Sequence, residues 1–177
     1  GVSNYRLSRW QRAEAALGAP VLSNQVQFSL VTRGPMQDLL PWAQRTGHLV
    51  MAYSPLGQGL LSGRYSAAHR PSGGVRAANA MFLPENLDAA APLLSLLREI
   101  GEGHGVTAAQ TALAWLVHQP NVVAIPGASS VAQVESNAAA ADVTLAADEF
   151  AALTAAAEAF RPRTGASAIP GLVRARR

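Results

Sequence analysis

Residues 49–64 read LVMAYSPLGQGLLSGR, and this stretch decides the class of fold. The first five residues form a continuous apolar run, which is typical of a parallel strand buried on both faces. The residues that follow, up to about residue 84, are rich in Gly, Ser and Pro and show no regular period. Irregular loops of that length in compact domains are usually functional. The stretch therefore predicts a central parallel strand that leads into a ligand-binding loop.

Short apolar runs alternate with helical patterns on both sides of this strand, as is typical of a parallel α/β protein. Further strands are predicted at residues 1–4, 21–28 and 122–125, the first of them only the end of a strand. Helices are predicted at residues 7–17, 35–45, 88–102, 107–118, 130–141 and 147–160. A (β/α)8 barrel has eight strands and typically about 250 residues. We therefore expect about half of such a barrel, with the missing half upstream.

Three pairs of residues have the spacing of a capping box, in which a hydroxyl and an amide side chain satisfy the first N–H groups of a helix. The pairs are Ser8 with Gln11, Thr107 with Gln110, and Ser130 with Gln133. Each pair predicts the start of a helix.

Composition excludes several classes of protein. The 177 residues are 49% hydrophobic and 14% charged, which suits one compact domain rather than a disordered chain. With no apolar run near the roughly 20 residues that span a bilayer, and no signal-like N-terminus, we expect a cytoplasmic protein without a membrane partner. The absence of cysteine removes disulfides, thiolate catalysis and Cys-ligated metals, and the four histidines lack metal-ligand spacing, so each is expected at the surface or at a helix end.

The charged residues are unevenly distributed. All fourteen basic residues are arginine, and no acidic residue occurs between Asp38 and Glu85, where Arg64 and Arg76 lie. This stretch could hold an anionic ligand or could be a solvated surface, and charge alone favours the surface. The basic residues 161–177 lack interleaved aromatic side chains, so they predict a loose C-terminal extension and no nucleic-acid partner.

Two segments could bind phosphate groups. Residues 57–62, GQGLLS, nearly spell a dinucleotide fingerprint, but Ser62 replaces the third glycine and the next acidic residue is Glu85, too far to bind a ribose. A flexible loop at the carboxyl end of a barrel strand explains the segment better, with Tyr53 as an aromatic plane or as a core residue. Residues 125–130, IPGASS, run from a strand end into a helix, which gives either an anion site or only a helix cap.

Five pieces of sequence carry a resemblance to a known family. They are GVSN at 1–4, SNQVQFS at 23–29, AYSPLGQGLLSGRY at 52–65, AW at 114–115 and IPGASS at 125–130. In this order and spacing they resemble the second half of the aldo-keto reductase family over almost the whole chain. The resemblance implies a partial (β/α)8 TIM barrel in residues 1–160, from the end of the fifth strand through the eighth strand and the C-terminal helices, followed by a basic tail in residues 161–177. It also implies an NADP(H)-dependent oxidoreductase that reduces aldehydes or ketones to alcohols, with NAD(H) as the alternative cofactor.

The resemblance assigns cofactor-binding roles to three groups of residues. Ser3, Asn4 and Gln25 would hydrogen-bond the nicotinamide carboxamide, and Tyr53 would stack on the nicotinamide ring. The pyrophosphate would be lined by Ser54, Pro55, Leu56, Gly57, Gln58, Gly59, Arg64 and Arg76. The adenosine phosphate would be held by Gly127, Ser129 and Gln133, and the adenine by Asn137.

The chain departs from the family's pattern in two respects. Position 136 is Ser where the family usually has Glu, which weakens the expected contact with adenine. The family's catalytic Asp, Tyr, Lys and His lie in the first half of its barrel, and this chain contains no lysine at all. A small carbonyl substrate is therefore expected only for the complete enzyme. The alternative is a non-catalytic module that binds a nucleotide or a partner, and open sheet edges predict self-association.

Overall fold

Four parallel strands form one sheet at the centre of the molecule. The computed structural model describes residues 1–164 and residue 168. The strands are β1 (Val2–Ser3), β2 (Ser23–Gln27), β3 (Leu49–Tyr53) and β4 (Val122–Ile125), and their order in the sheet follows their order in the chain. β3 lies between β2 and β4, as predicted for the apolar run. β1 and β4 are the two edges of this sheet among the described residues.

Seven helices are present in the described part of the chain. They are α1 (Leu7–Leu17), α2 (Leu39–Thr46), α3 (Gly74–Ala77), α4 (Pro84–His104), α5 (Ala108–Val117), α6 (Val131–Ala139) and α7 (Ala147–Ala159). Short 3-10 segments occupy Gly34–Met36, Gly57–Ser62, Ala80–Phe82 and Ala140–Asp142, and the second of them is kinked at Gln58 and Gly59. None of these described helices is long and apolar enough to cross a membrane.

The two faces of the sheet differ in burial. Val26, Val50 and Ala52 are buried against the helices, in one core with Trp10, Phe28 and Trp115. On the opposite face, Gln25, Met51 and Val123 lie side by side in neighbouring strands. Gln25 and Met51 are half-buried, and Val123 is exposed. The prediction that β3 is buried on both faces is therefore wrong: its residues alternate between buried and half-buried because helices cover only one side of the sheet.

Several predicted helix ends are corrected by local contacts. α1 begins at Leu7 with Arg6 at its N-cap, so Ser8 lies inside the first turn and does not form the predicted capping box. α2 begins at Leu39 rather than at residue 35, because the carboxylate of Asp38 accepts the N–H of Leu39 at 2.7 Å and ends the preceding turn. α4 begins at Pro84, four residues early, since proline is favoured in the first turn of a helix.

Other expected helix starts and strands are confirmed. The capping box of Thr107 and Gln110 opens α5, and β4 has the predicted bounds. β2 is shorter than predicted, at Ser23–Gln27.

Two charged groups outside the candidate site have shifted pKa values. The N–H of Ala146 and the ring of His104 donate to the Glu149 carboxylate, and these contacts lower its pKa, so the carboxylate joins the end of α4 to the start of α7. Burial lowers the pKa of Arg33, while Glu158 opposes the shift.

The C-terminal tail is partly described. The N–H of Arg163 donates to the side-chain oxygen of Asn86, and the Asn86 amide donates back to the Arg163 carbonyl oxygen, at 2.7 and 2.9 Å. Ala168 is buried. The rest of the predicted tail, residues 165–167 and 169–177, lies outside the described residues.

Candidate nucleotide-binding cleft

The predicted site residues lie along the carboxyl edge of the sheet. Tyr53 and Ile125, the last residues of β3 and β4, are paired in register, so the segments that follow them leave the sheet side by side. Residues 54–76, which we call the arm, follow β3, and residues 126–137 follow β4 and include α6. Ligand-binding loops of parallel α/β proteins gather at this edge.

A cleft of about 940 Å³ separates the arm from α6, within the 300–1,000 Å³ range typical of small-molecule sites. The arm contributes Ser54, Pro55, Leu56, Gln58, Gly59, Ser62, Arg64, Tyr65, Gly73, Gly74 and Arg76. The opposite wall is formed by Ala109, Pro126, Gly127, Ala128, Ser129, Ala132, Gln133, Ser136 and Asn137. The structure therefore brings together the predicted pyrophosphate and adenosine segments, which are about 70 residues apart in sequence.

The start of the arm is fixed by close packing. Gly57 is buried with φ of +55°, and a Cβ at this position would lie 2.8 Å from Cγ2 of Val31. Only glycine fits both the left-handed backbone and that contact. The Asn79 amide donates to the side-chain oxygen of Gln58 at 3.0 Å, which joins the arm to the turn before α4. Gly57, which was predicted to line the pyrophosphate, therefore fixes the path of the arm by packing against Val31 and does not line the cleft.

The side chains of Ser130 and Gln133 cap the N-terminus of α6, which forms the opposite wall of the cleft. Its N-cap Ser130 accepts the N–H of Gln133, and the Gln133 side-chain oxygen accepts the N–H of Ser129 at 2.7 Å and the Ser129 hydroxyl at 3.1 Å. The predicted capping box is therefore half formed, because Gln133 reaches back to Ser129 instead of Ser130. A strand end followed at once by a helix is confirmed, since β4 ends at Ile125 and α6 begins at Val131.

The charge of the cleft is one-sided. Arg64 and Arg76 lie on the arm, both exposed, and no acidic residue lines the cleft among the described residues. Guanidinium groups bind phosphate oxygens in a bidentate geometry, and a nearby carboxylate would repel the same ligand. The cleft therefore suits an anionic ligand.

On the side of β3 that faces β2 and β1, the residues Ser3, Asn4, Gln25 and Tyr53 form a polar patch. The Gln25 carbonyl oxygen accepts the N–H of Asn4 at 2.8 Å and the Ser3 hydroxyl at 3.2 Å, and the Tyr53 hydroxyl donates to the Asn4 side chain at 3.2 Å. Asn24, buried on the opposite face, exchanges hydrogen bonds with the backbone of Tyr5 and fixes the chain as it leaves β1. The predicted nicotinamide residues are thus in contact with one another, but they do not line the 940 Å³ cleft.

Three predicted site residues have left-handed backbones. Asn4, Ser54 and Gln58 have φ values of 56°, 50° and 59°. Such conformations in residues other than glycine cost about 1–3 kcal/mol each and cluster at ligand sites. The remaining described example, Asn121, lies at the amino edge of the sheet, where its amide donates to backbone carbonyls of Ala43 and His48.

Residues that the sequence did not identify also line the cleft. Ser62, Tyr65 and Gly73 come from the arm, while Ala109 and Ala132 come from helices. The loop that follows β3, up to about residue 84, is rich in Gly, Ser and Pro, and this composition was a signal for the three arm residues. The small alanines carried none, because their position depends on how α5 and α6 face the cleft.

The histidines serve structural contacts. His48 lies just after the end of α2, which agrees with the expectation of a surface or helix-end position, and it is buried because its Nε2 lies 2.6 Å from the carboxylate of Glu14 and its Nδ1 lies 2.7 Å from the Thr46 hydroxyl. The partner lies 34 residues away, beyond the reach of a local pattern. The described residues contain no group of three His, Asp or Glu side chains that could hold a metal ion.

Comparison with known proteins points to one family. The profile of the Aldo/keto reductase family matches residues 1–158. The sequence is 54% identical to an uncharacterized oxidoreductase of Mycobacterium tuberculosis over 174 residues, which cover 98% of this chain and 54% of the relative. It is 35% identical to the methylglyoxal reductase YeaE of Escherichia coli over 165 residues, 93% of this chain and 49% of that protein.

A solved structure agrees. The fold is similar to the crystal structure of an aldo-keto reductase from Klebsiella pneumoniae in complex with NADPH, with a TM-score of 0.62 and 32% identity over 93% of this chain and 49% of the other. The chain therefore spans about half the length of the relatives that it matches.

Proposed function

The chain belongs to the aldo/keto reductase family, and from that premise we propose that it is the cofactor-binding half of an NADP(H)-dependent oxidoreductase that reduces aldehydes or ketones to alcohols. The observation that carries the proposal is the cleft between the arm and α6, which has two arginines, no acidic lining among the described residues, and a polar patch beside it on the same edge of the sheet.

The donors along this edge fit an extended dinucleotide. Arg64 and Arg76 would pair with the pyrophosphate, beside Ser54, Pro55, Leu56, Gln58 and Gly59 of the arm, with Gly57 holding the arm in shape. Gly127, Ser129, Gln133 and Asn137 would contact the adenosine end. The polar patch supplies hydroxyl and amide groups for a carboxamide, and the half-buried Tyr53 supplies a flat ring for the nicotinamide.

The chemistry divides between the cofactor and the protein. When bound, the nicotinamide supplies the hydride that reduces a carbonyl carbon. The residues of this chain bind and orient the cofactor, since the arginines neutralise its phosphates and the patch fixes the ring. The proton donor, with the groups that tune it, belongs in our proposal to a further half of a (β/α)8 barrel, of which this sheet would be the end of the fifth strand through the eighth.

The partners follow from this division. In the complete enzyme we propose a small carbonyl compound as substrate, a class to which the substrate named for the Escherichia coli relative belongs. The strand edges at β1 and β4 would pair with the other half of the barrel, and in its absence with another copy of the chain. The lack of cysteine agrees with a cytoplasmic location, which is part of the proposal.

The alternative is a non-catalytic module that binds a nucleotide or a partner. It would have the same cleft but would lack the other half of the barrel upstream. Upstream coding sequence is the discriminating observation. An in-frame continuation with the missing strands supports the oxidoreductase, and a start codon directly before Gly1 supports the module.

Arginine substitutions test the cleft itself. We expect Arg64→Gln combined with Arg76→Gln to weaken NADPH binding by about tenfold or more, because each charge-assisted hydrogen bond is worth about 1.5–3 kcal/mol and tenfold corresponds to about 1.4 kcal/mol. The measurement is isothermal titration of NADPH into the purified chain at low salt. Arg12→Gln combined with Arg45→Gln, which removes two charges from exposed positions on α1 and α2, is the matched control. Equal NADPH affinity of the double variant and the unaltered chain would contradict the assignment.

A further inference from the structure

Gln58, in the arm, combines a strained backbone with a side-chain amide that is fixed at one end. Its φ of 59° is left-handed, which is unfavourable for residues other than glycine. Its side-chain oxygen accepts the Asn79 amide at 3.0 Å. The side-chain nitrogen of Gln58 has no hydrogen-bond partner among the described residues, and Gln58 lines the cleft. This nitrogen is therefore free to donate to a ligand in the cleft.

The orientation of the Asn79 amide is decided by a second hydrogen bond. Asn79 is the N-cap of the 3-10 segment Ala80–Phe82, and its side-chain oxygen accepts the N–H of Met81 at 2.9 Å. Because the oxygen is held there, the Asn79 nitrogen is the atom that meets Gln58. An amide nitrogen only donates, so Gln58 must present its oxygen to Asn79. Asn79 thereby determines which end of the Gln58 amide is left free.

The segment at residues 79–82 is itself held in place. The amide of Asn86, which is buried in the first turn of α4, donates to the carbonyl oxygen of Ala80 at 2.7 Å. The ring of Phe82 is buried and packs edge-on against Tyr65 of the arm, with 5.2 Å between the ring centroids. The segment is therefore a support that is fixed to α4 on one side and packs against the arm on the other.

From these contacts we infer that Asn79 is a positioning residue of the cleft. It holds Gln58 in its left-handed conformation and leaves the Gln58 nitrogen free to donate to a phosphate. An amide turned the other way would offer its oxygen, whose lone pairs repel an anion. Asn79 does not line the cleft, so it acts through Gln58. The inference rests on the proposed function, since it takes the phosphates of the cofactor to lie beside the arm.

A double-mutant cycle tests the inference by isothermal titration of NADPH. Asn79→Ser removes the donor to Gln58, and serine is a favoured capping residue, so the segment should still form. We expect this variant to bind NADPH about threefold to tenfold more weakly than the unaltered chain, which corresponds to one net hydrogen bond. In a Gln58→Gly background the amide is gone and the left-handed backbone is unstrained, so Asn79→Ser should change the affinity by less than about twofold.

A matched control separates positioning from a general loss of stability. Thr154→Val removes the hydroxyl that accepts Nε1 of Trp115 at 2.9 Å, on α7, which does not line the cleft. We expect Thr154→Val to lower the midpoint of thermal unfolding and to leave the NADPH affinity unchanged. Thermal unfolding of every variant shows which of them are folded, and Asn79→Thr, which also keeps a capping hydroxyl, serves as a second variant in the same cycle.

Two results would overturn the inference and leave the proposed function standing. The first is equal NADPH affinity of the folded Asn79 variants and the unaltered chain. The second is an equal loss of affinity from Asn79→Ser in the unaltered and the Gln58→Gly backgrounds, because Asn79 would then act by a route other than Gln58. If the unaltered chain does not bind NADPH at millimolar concentration, the proposed function and the inference fail together.

Discussion

The isolated chain is expected to show no turnover of aldehydes or ketones with NADPH. Positioned acid and base groups typically contribute about 10²- to 10⁴-fold to such reactions, and we propose that they lie in the other half of the barrel. The chain contains no lysine. Its buried histidine, His48, is held by Glu14 and Thr46 at the start of β3, far along the strand from the carboxyl edge where the cleft lies.

The assay is NADPH oxidation, followed by absorbance, with a panel of small aldehydes and ketones. NADPH titration of the same preparation is the control, since it shows that the cleft is intact when turnover is absent. Turnover of about 1 per second or more, the lower end of typical enzyme rates, would mean that this half contains its own proton donor and would contradict the division of roles.

Self-association of the chain is the second large effect that we expect. Val123 and Ile125 of β4 are 42% and 37% exposed, and Val134 of α6 is 56% exposed. The first and the last of these line an apolar groove of about 410 Å³ beside the free edge of β4. Burying one large apolar side chain is worth about 1.5–3 kcal/mol, so a few of them rival the net stability of a domain, about 5–15 kcal/mol.

Sedimentation of the purified chain, together with thermal unfolding, measures this association. We expect oligomers that dissociate in Val123→Lys, because a lysine on an edge strand blocks further strand pairing. Val131→Lys is the matched control: Val131 is 74% exposed at the start of α6 but does not line the groove. A monodisperse monomer with one cooperative transition for the unaltered chain would show that the free edge and the half-exposed sheet face need no cover.

Local patterns were sufficient to predict the sheet. The continuous run of β3 and the short run of β4 are strands with the predicted bounds, because β-branched and apolar residues between turn signals favour strands. Helix starts were less predictable. Asp38 caps α2 and Pro84 opens α4, and in both cases another local signal competed, a proline at position 35 and a glycine-rich loop before residue 84.

The site was predictable where its residues are contiguous. Residues 54–59 and 125–130 each carry their signal within a few positions, and the parallel register of Tyr53 with Ile125 then places them side by side. Contacts made across the fold were not predictable. The contact of His48 with Glu14, 34 residues away, and the position of Ala109 in the cleft depend on how the helices meet the sheet.

Amide hydrogen exchange with and without NADPH tests most directly whether the cleft is the cofactor site. Binding that orders both walls should slow exchange in two separate segments, residues 54–76 and residues 126–137, and also near Asn4 if the nicotinamide reaches the polar patch. Residues of α1 that lie away from the cleft should show no change. Slower exchange in both segments at saturating NADPH is the result that we predict, and unchanged exchange in both, under conditions where titration shows NADPH bound, would contradict the assignment of the cleft.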